Sequence, residues 1–178
     1  MTDNCDLASE KSTDQSLERF NKFVRSSGIS VQIIYCGAET VSVQQAADAI
    51  GCEPREIIKT LLFHNKEGTT VVAIAAGLSR IEVALLSRAT GFPSLKLARP
   101  DFVFSLLGYP AGGVPPIGLP QHIRVIVDES AAALDYCYGG AGTVKHLARF
   151  SVDDIVRLNG ATVAPIAMNP TPSPFEKI

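Results

Sequence analysis

Hydrophobic and polar positions alternate with two different periods along this chain, and the changes of period mark out the elements. Leu17, Phe20 and Val24 recur at helical spacing from Ser16, and Gly28 supplies a stop, which predicts a first helix. Val31 to Cys36 is β-rich and predicts a strand. Ser42 stands where a cap belongs, ahead of a helix that carries Ala46, Ala47 and Ile50 on one face and ends at Gly51. Pro54 suits the first turn of another short helix that includes Ile57 and Ile58. Lys59 follows, where that helix gives way to the apolar run Leu61-Leu62-Phe63. The turn chemistry of Asn65 to Gly68 and the β-branched run Thr69 to Ala75 predict a hairpin.

Ser79-Arg80-Ile81-Glu82 reads as a capping box that opens a helix to about Thr90. A short strand at Leu95 to Ala98 precedes a helix from Pro100 to Gly108, then a long glycine- and proline-rich loop and the strand Ile123 to Val127. Thr143 to Ala148 predicts a strand, Ser151 with Asp153 and Asp154 caps a helix that closes at Gly160, and Thr162 to Ile166 is a last strand. Strands outnumber helices and strict β-α-β alternation is missing, so the fold class is α+β. Residues 1–14 and 169–178, the latter with three prolines, are expected to be flexible tails around one domain at 15–168.

Composition sets limits on function. The chain has 178 residues, 46% hydrophobic and 19% charged, with a formal net charge of -2. That suffices for one packed domain and excludes global disorder. With no polybasic segment, contact with nucleic acid is expected to be local, at an end, and no DNA partner is expected. No long apolar run predicts a membrane span, and the polar, acidic N-terminus lacks a secretory core, so the expected location is cytoplasmic. Cys5, Cys36, Cys52 and Cys137 form no C-x-x-C pair, and His64, His122 and His146 have no ligand spacing, so neither disulfide nor metal is expected.

The least ordinary segment is Gly108-Tyr-Pro-Ala-Gly-Gly-Val-Pro-Pro-Ile-Gly118, with four glycines and three prolines in eleven residues. Its two readings are a rigid loop whose free amides receive an oxyanion, or a tight connection that needs turn residues. Gly139-Gly140-Ala-Gly142 matches no phosphate-binding fingerprint and reads equally as a hairpin turn or a ligand site. Lys59 enters a core run, so its ammonium reaches solvent, a partner or a substrate. Asp128 closes an apolar strand and either caps the next helix or reaches a cleft. A G-x-S-x-G elbow is absent.

Taken in order, E-I-I-K-T-L (Glu56 to Leu61), a hairpin, Leu97-Ala98, G-Y-P-A-G-G-V-P-P-I-G, V-I-V-D (Val125 to Asp128) and a glycine cluster resemble the YbaK/prolyl-tRNA-synthetase-associated domain family, from about Val31 to Ile166. The resemblance implies a single α+β domain with a mostly antiparallel, barrel-like mixed sheet surrounded by helices. It implies trans-editing, the hydrolysis of the ester between a wrong amino acid and the terminal ribose of a tRNA, often that for proline, with no cofactor. It also implies that Lys59 is the key active-site residue. Thr60, Gly108, Gly112, Gly113, Val114, Pro115, Asp128, Gly139 and Gly140 are then expected about the aminoacyl pocket. The expected partners are the aminoacyl-tRNA acceptor end and prolyl-tRNA synthetase.

Family members that clear cysteinyl-tRNA often have a small hydroxyl residue and basic residues around the later glycine pair; here Tyr138 precedes Gly139 and Ala141 follows Gly140. Tyr35 to Thr40 also lacks their His-Asp-Pro-type signature. Alanine, serine and threonine therefore stand beside cysteine as the small amino acid removed. Two other functions stay open: a non-catalytic tRNA- or synthetase-binding module of the same fold, and an enzyme of free small esters or nucleotides.

Overall fold

The computed structural model describes residues 3–168, with side chains from Gln15 onward. Six α-helices and ten strands follow one another as α1 (Asp3–Ser27), β1 (Gln32–Tyr35), α2 (Val43–Ile50), β2 (Ile58–His64), β3 (Thr70–Ala76), β4 (Arg80–Ile81), α3 (Val83–Thr90), β5 (Lys96–Leu97), α4 (Pro100–Leu107), β6 (Arg124–Asp128), α5 (Glu129–Ala132), β7 (Tyr136–Gly140), β8 (His146–Ser151), α6 (Val152–Asn159), β9 (Thr162–Ala164) and β10 (Ala167–Met168). A five-stranded sheet has the order β5-β2-β3-β6-β9, a three-stranded sheet the order β1-β8-β7, and β10 pairs with β4. Pairing is antiparallel except at β3–β6 and β6–β9, which are parallel. The expected α+β class with a mixed, mostly antiparallel sheet holds. The barrel-like arrangement consists of separate sheets, the two larger ones joined by a single bridge between Ile57 and Tyr138.

The central strand β3 explains where the core sits. Val71 to Ala76 are all buried, because β3 is covered on both faces. Val72 and Ile74 pack with Ile58, Leu62, Val125 and Val127 into the larger core, which also holds Phe20, Phe150 and Ile155. Val71, Ala73 and Ala75 pack on the opposite face with Phe63, Leu86 and Ile126. A third, small cluster fixes α2 on β8 through Ala46, Ala47, Ile57 and Leu147.

Several elements differ from the sequence reading, each for a local reason. Helix α1 begins at Asp3 rather than Ser16, so residues 3–14, expected as a flexible tail, are helical; no glycine or proline interrupts Asp3–Ser27. The expected tail at 169–178 lies outside the described residues. The helix after Pro54 is one 3₁₀ turn, Pro54–Glu56, and Ile57 and Ile58 are extended because the chain enters β2 there. The capping box at Ser79 does not form: Arg80–Ile81 pairs with Ala167–Met168, the Ser79 hydroxyl donates to the Ala76 carbonyl, and α3 starts at Val83. Gly139 and Gly140 are not in a turn but in β7, opposite Ala148 and Leu147.

Candidate active site

The cleft is built where β2 leaves the protection of its neighbours. Strand β5 pairs with β2 only at Phe63 and His64, and the bridge from Ile57 to Tyr138 of β7 borders the start of β2, so the edge between them, about Thr60, is open on that side. Three segments wall the space: Thr40 to Val43 with Ala46 of α2, the loop at Gly112 and Val114, and the β7–β8 hairpin at Gly140 and Leu147. The enclosed volume is about 210 Å³. That lies below the roughly 300–1,000 Å³ of pockets for drug-sized ligands, and suits a group the size of one small amino acid.

Each wall is held by hydrogen bonds that follow from its sequence. A capping box sets the start of α2: the Gln45 amide donates to Ser42 Oγ at 3.2 Å, and the Ser42 amide donates to Gln45 Oε1 at 3.1 Å. Thr40 is tied to the hairpin, its amide and its hydroxyl both donating to the Val144 carbonyl at 2.8 and 3.1 Å. In the loop, the Gly113 amide donates to the Pro110 carbonyl at 2.9 Å, closing a turn whose third residue, Gly112, has φ +89°. A positive φ at that position is the requirement of a type II turn, which is why glycine stands there.

The loop then docks on the hairpin by backbone alone. The Gly142 amide donates to the Gly113 carbonyl at 2.8 Å. A Cβ on Gly113 would lie 2.6 Å from the Thr143 carbonyl carbon, and one on Gly140 would lie 2.7 Å from the Val114 carbonyl oxygen. Gly139 is similarly pressed against Ile58, where a Cβ would meet Cγ1 at 3.0 Å. These glycines permit the close crossing of two backbones that shapes one wall of the cleft.

Lys59 is half-buried in β2 and is the charged residue of the lining. Its ammonium donates to the carbonyls of Gly77, at 3.3 Å, and Ser79. Burial pulls its pKa below the ordinary lysine value. Beside it, the Thr60 hydroxyl is buried without a hydrogen-bond partner among the described residues. An orphaned hydroxyl of this kind costs about 1–3 kcal/mol. Thr60→Val, which keeps the shape and removes the oxygen, is therefore expected to raise stability by about 1 kcal/mol. Urea unfolding of the two proteins checks this; a less stable valine variant would mean that the hydroxyl is satisfied in solution.

Of the residues singled out in the sequence, Lys59, Thr60, Gly112, Val114 and Gly140 meet at the cleft. Gly113 and Gly139 stand directly behind its surface, and Pro115 is buried outside the lining. Two residues lie elsewhere. Gly108 ends α4 with φ +72° and seats against Arg19 of α1, its carbonyl accepting from the Ser16 hydroxyl at 3.1 Å. Asp128 is buried and serves the fold: its carboxylate accepts from the Ser130 amide at 2.9 Å and from the Ile166 and Ala167 amides at 2.8 and 2.7 Å. It thus caps α5 and anchors the segment leading to β10. The sequence reading missed Thr40 to Val43 and Ala46, the β2 residues Ile57, Ile58 and Leu61, and Leu147 as lining residues. Ser42 is recognisable locally only as a helix cap, and the docking of α2 on β8 is what brings it to the cleft.

Cys36, Cys52 and Cys137 are unpaired, and burial pushes the Cys137 thiol up to about 12. Among the described residues no group of three His, Cys, Asp or Glu side chains is placed to hold a metal ion, and no helix is long and apolar enough to cross a membrane.

Comparison with known proteins agrees with this architecture. The structure superposes on a candidate trans-editing enzyme for prolyl tRNA synthetase with a TM-score of 0.78 at 28% identity, covering 86% of this chain and 98% of the other. The hypothetical protein APE2540 gives a TM-score of 0.78 at 31% identity, covering 84% and 99%. In sequence, YwhH of Bacillus subtilis (strain 168) is 28% identical over 65% of this chain and 78% of its own. A proline--tRNA ligase of Pelotomaculum thermopropionicum is 34% identical over 56% of this chain, and the match spans only 17% of that ligase. The aminoacyl-tRNA editing domain matches residues 38–158, which include every wall of the cleft, and the chain belongs to that family.

Proposed function

We propose that the protein is a trans-editing hydrolase that removes a small, wrongly attached amino acid, such as cysteine, alanine, serine or threonine, from tRNA for proline or a related tRNA. The observation that carries this reading is a cleft of about 210 Å³ whose lining is mostly apolar around a single lysine, in an editing-domain chain. Such a space takes the aminoacyl group and leaves the tRNA outside. That fits a formal net charge of -2, which favours a grip on the acceptor end over a long phosphate-binding surface.

The reaction needs little from the protein beyond placement. Water, which a neighbouring ribose hydroxyl can orient, or for a cysteinyl ester the substrate's own thiol, attacks the ester carbonyl; the C–O bond to the ribose breaks, and the ribose oxygen leaves with the proton the nucleophile gives up. Orienting an already activated ester and stabilising the developing oxyanion supply the acceleration. Lys59 is the candidate for that charge. The Gly112 amide makes no hydrogen bond to another described residue and is a candidate second donor. A Ser or Thr nucleophile would need an adjacent base; no His, Asp or Glu lines the cleft among the described residues, and the Lys59 ammonium is engaged with the Gly77 and Ser79 carbonyls and not with a cleft hydroxyl.

The test is single-turnover deacylation of tRNA for proline charged with alanine, serine, threonine or cysteine, with and without a chelator. Hydrolysis of at least one of these, unaffected by the chelator, is expected. Tight binding of the charged tRNAs without hydrolysis would instead identify a non-catalytic tRNA-binding module, and binding to prolyl-tRNA synthetase alone would identify a synthetase-binding one.

A further inference from the structure

The open edge of β2 has a polarity that the rest of the cleft lacks. Five consecutive residues, Ile57 to Leu61, line the cleft, so the strand presents its backbone edge there and not one face. The register shows which groups face outward. The Gly77 amide donates to the Ile57 carbonyl at 2.7 Å, and β2 is antiparallel to β3 with Ile58 opposite Ala76. In an antiparallel ladder alternate residues turn both backbone groups to the partner, so residues 57, 59 and 61 face β3 and residues 58 and 60 face away. The Leu62 carbonyl confirms this phase, because it accepts from the Ala98 amide on the far side at 2.8 Å. Among the described residues no strand pairs with Thr60 on that side. The carbonyls of Ile58 and Thr60 therefore face away from β3, that of Thr60 on the open edge and that of Ile58 beside β7.

An α-aminoacyl group brings an amine that needs acceptors once it leaves water. No Asp or Glu lines the cleft among the described residues, and Lys59 would repel an ammonium. Beside the hydroxyls of Thr40, Ser42 and Thr60, the backbone carbonyls of the β2 edge are the acceptors in place. Resting on the editing reading above, we infer that the β2 edge at Ile58 and Thr60 binds the free α-amine of the aminoacyl group, so that the site takes α-aminoacyl esters and rejects acyl esters that lack a free amine, N-acylated peptidyl esters included.

The test uses two non-hydrolysable probes that differ only in the amine, 3′-alanylamino-3′-deoxyadenosine and its 3′-propionylamino counterpart, with N-acetylalanyl as a third. Hydrogen bonds to a charged group predict that the alanyl probe binds about tenfold or more tighter than the other two. On titration with it, the carbonyl ¹³C resonances of Ile58 and Thr60 are expected to shift; with the propionyl probe they are not. Equal binding of alanyl and propionyl probes, binding of none, or shifts confined to other residues would overturn the inference. Binding is read without turnover, so an absence of deacylation with amine-dependent binding intact counts against the editing reading alone.

Discussion

Lys59→Ala is expected to lower single-turnover deacylation roughly 10²-fold, as the loss of a positioned charge worth about 3 kcal/mol in the transition state. Thermal stability should change little, because two effects oppose each other. Removing the ammonium relieves its burial, which already depresses its pKa, while the Gly77 and Ser79 carbonyls lose their donor. Lys59→Arg is expected to fall short of full activity, since a planar guanidinium does not take the place of a compact ammonium. Measured beside thermal unfolding, near-normal rates in both variants would mean that Lys59 only braces the turn at Gly77–Ser79.

The largest expected effect on stability belongs to the glycine crossing. A Cβ at Gly113 or Gly140 meets backbone at 2.6 to 2.9 Å, which no rotamer change can relieve. Gly113→Ala and Gly140→Ala should each cost about 3 kcal/mol, lowering the melting temperature by roughly 6–12 °C in a chain of this size. Gly113→Val should fare worse, so its loss of activity comes with loss of fold. Composition left two readings of this loop, a rigid ligand-binding loop and a tight connection, and the backbone contacts of Gly113 belong to the second. Gly112→Ala separates the two roles. A Cβ there has ordinary contacts with Val144 and Val41 at 3.5 and 3.7 Å, and the cost is the positive φ, about 1–2 kcal/mol. Melting temperatures within 2 °C of wild type for the Gly113 and Gly140 variants would contradict the crossing geometry.

Much of this protein is determined by the sequence alone. The capped helix from Ser42 to Gly51, the hairpin of β2 and β3, the helix between Pro100 and Gly108 and the helix closed by Gly160 all rest on local signals, namely caps, left-handed glycines and β-branched runs. The ordered motifs from Lys59 to the glycine cluster also carried the family, since their order along the chain survives without any knowledge of contacts. Tertiary structure decided the rest. Whether Asp128 only caps the next helix or reaches a cleft depends on long-range packing, which brings amide donors 38 and 39 residues away to its carboxylate. Whether Gly139 and Gly140 turn or pair depends on β8, and their lack of a Cβ is explained only by Ile58 and by the Gly113–Val114 backbone lying across them. The cleft itself comes from long-range packing: α2 seated on β8, the glycine loop docked on the hairpin, and β5 covering only the far end of β2. Periodicity and turn chemistry report on neighbours within a few residues, whereas an open strand edge is defined by which distant segment fails to cover it.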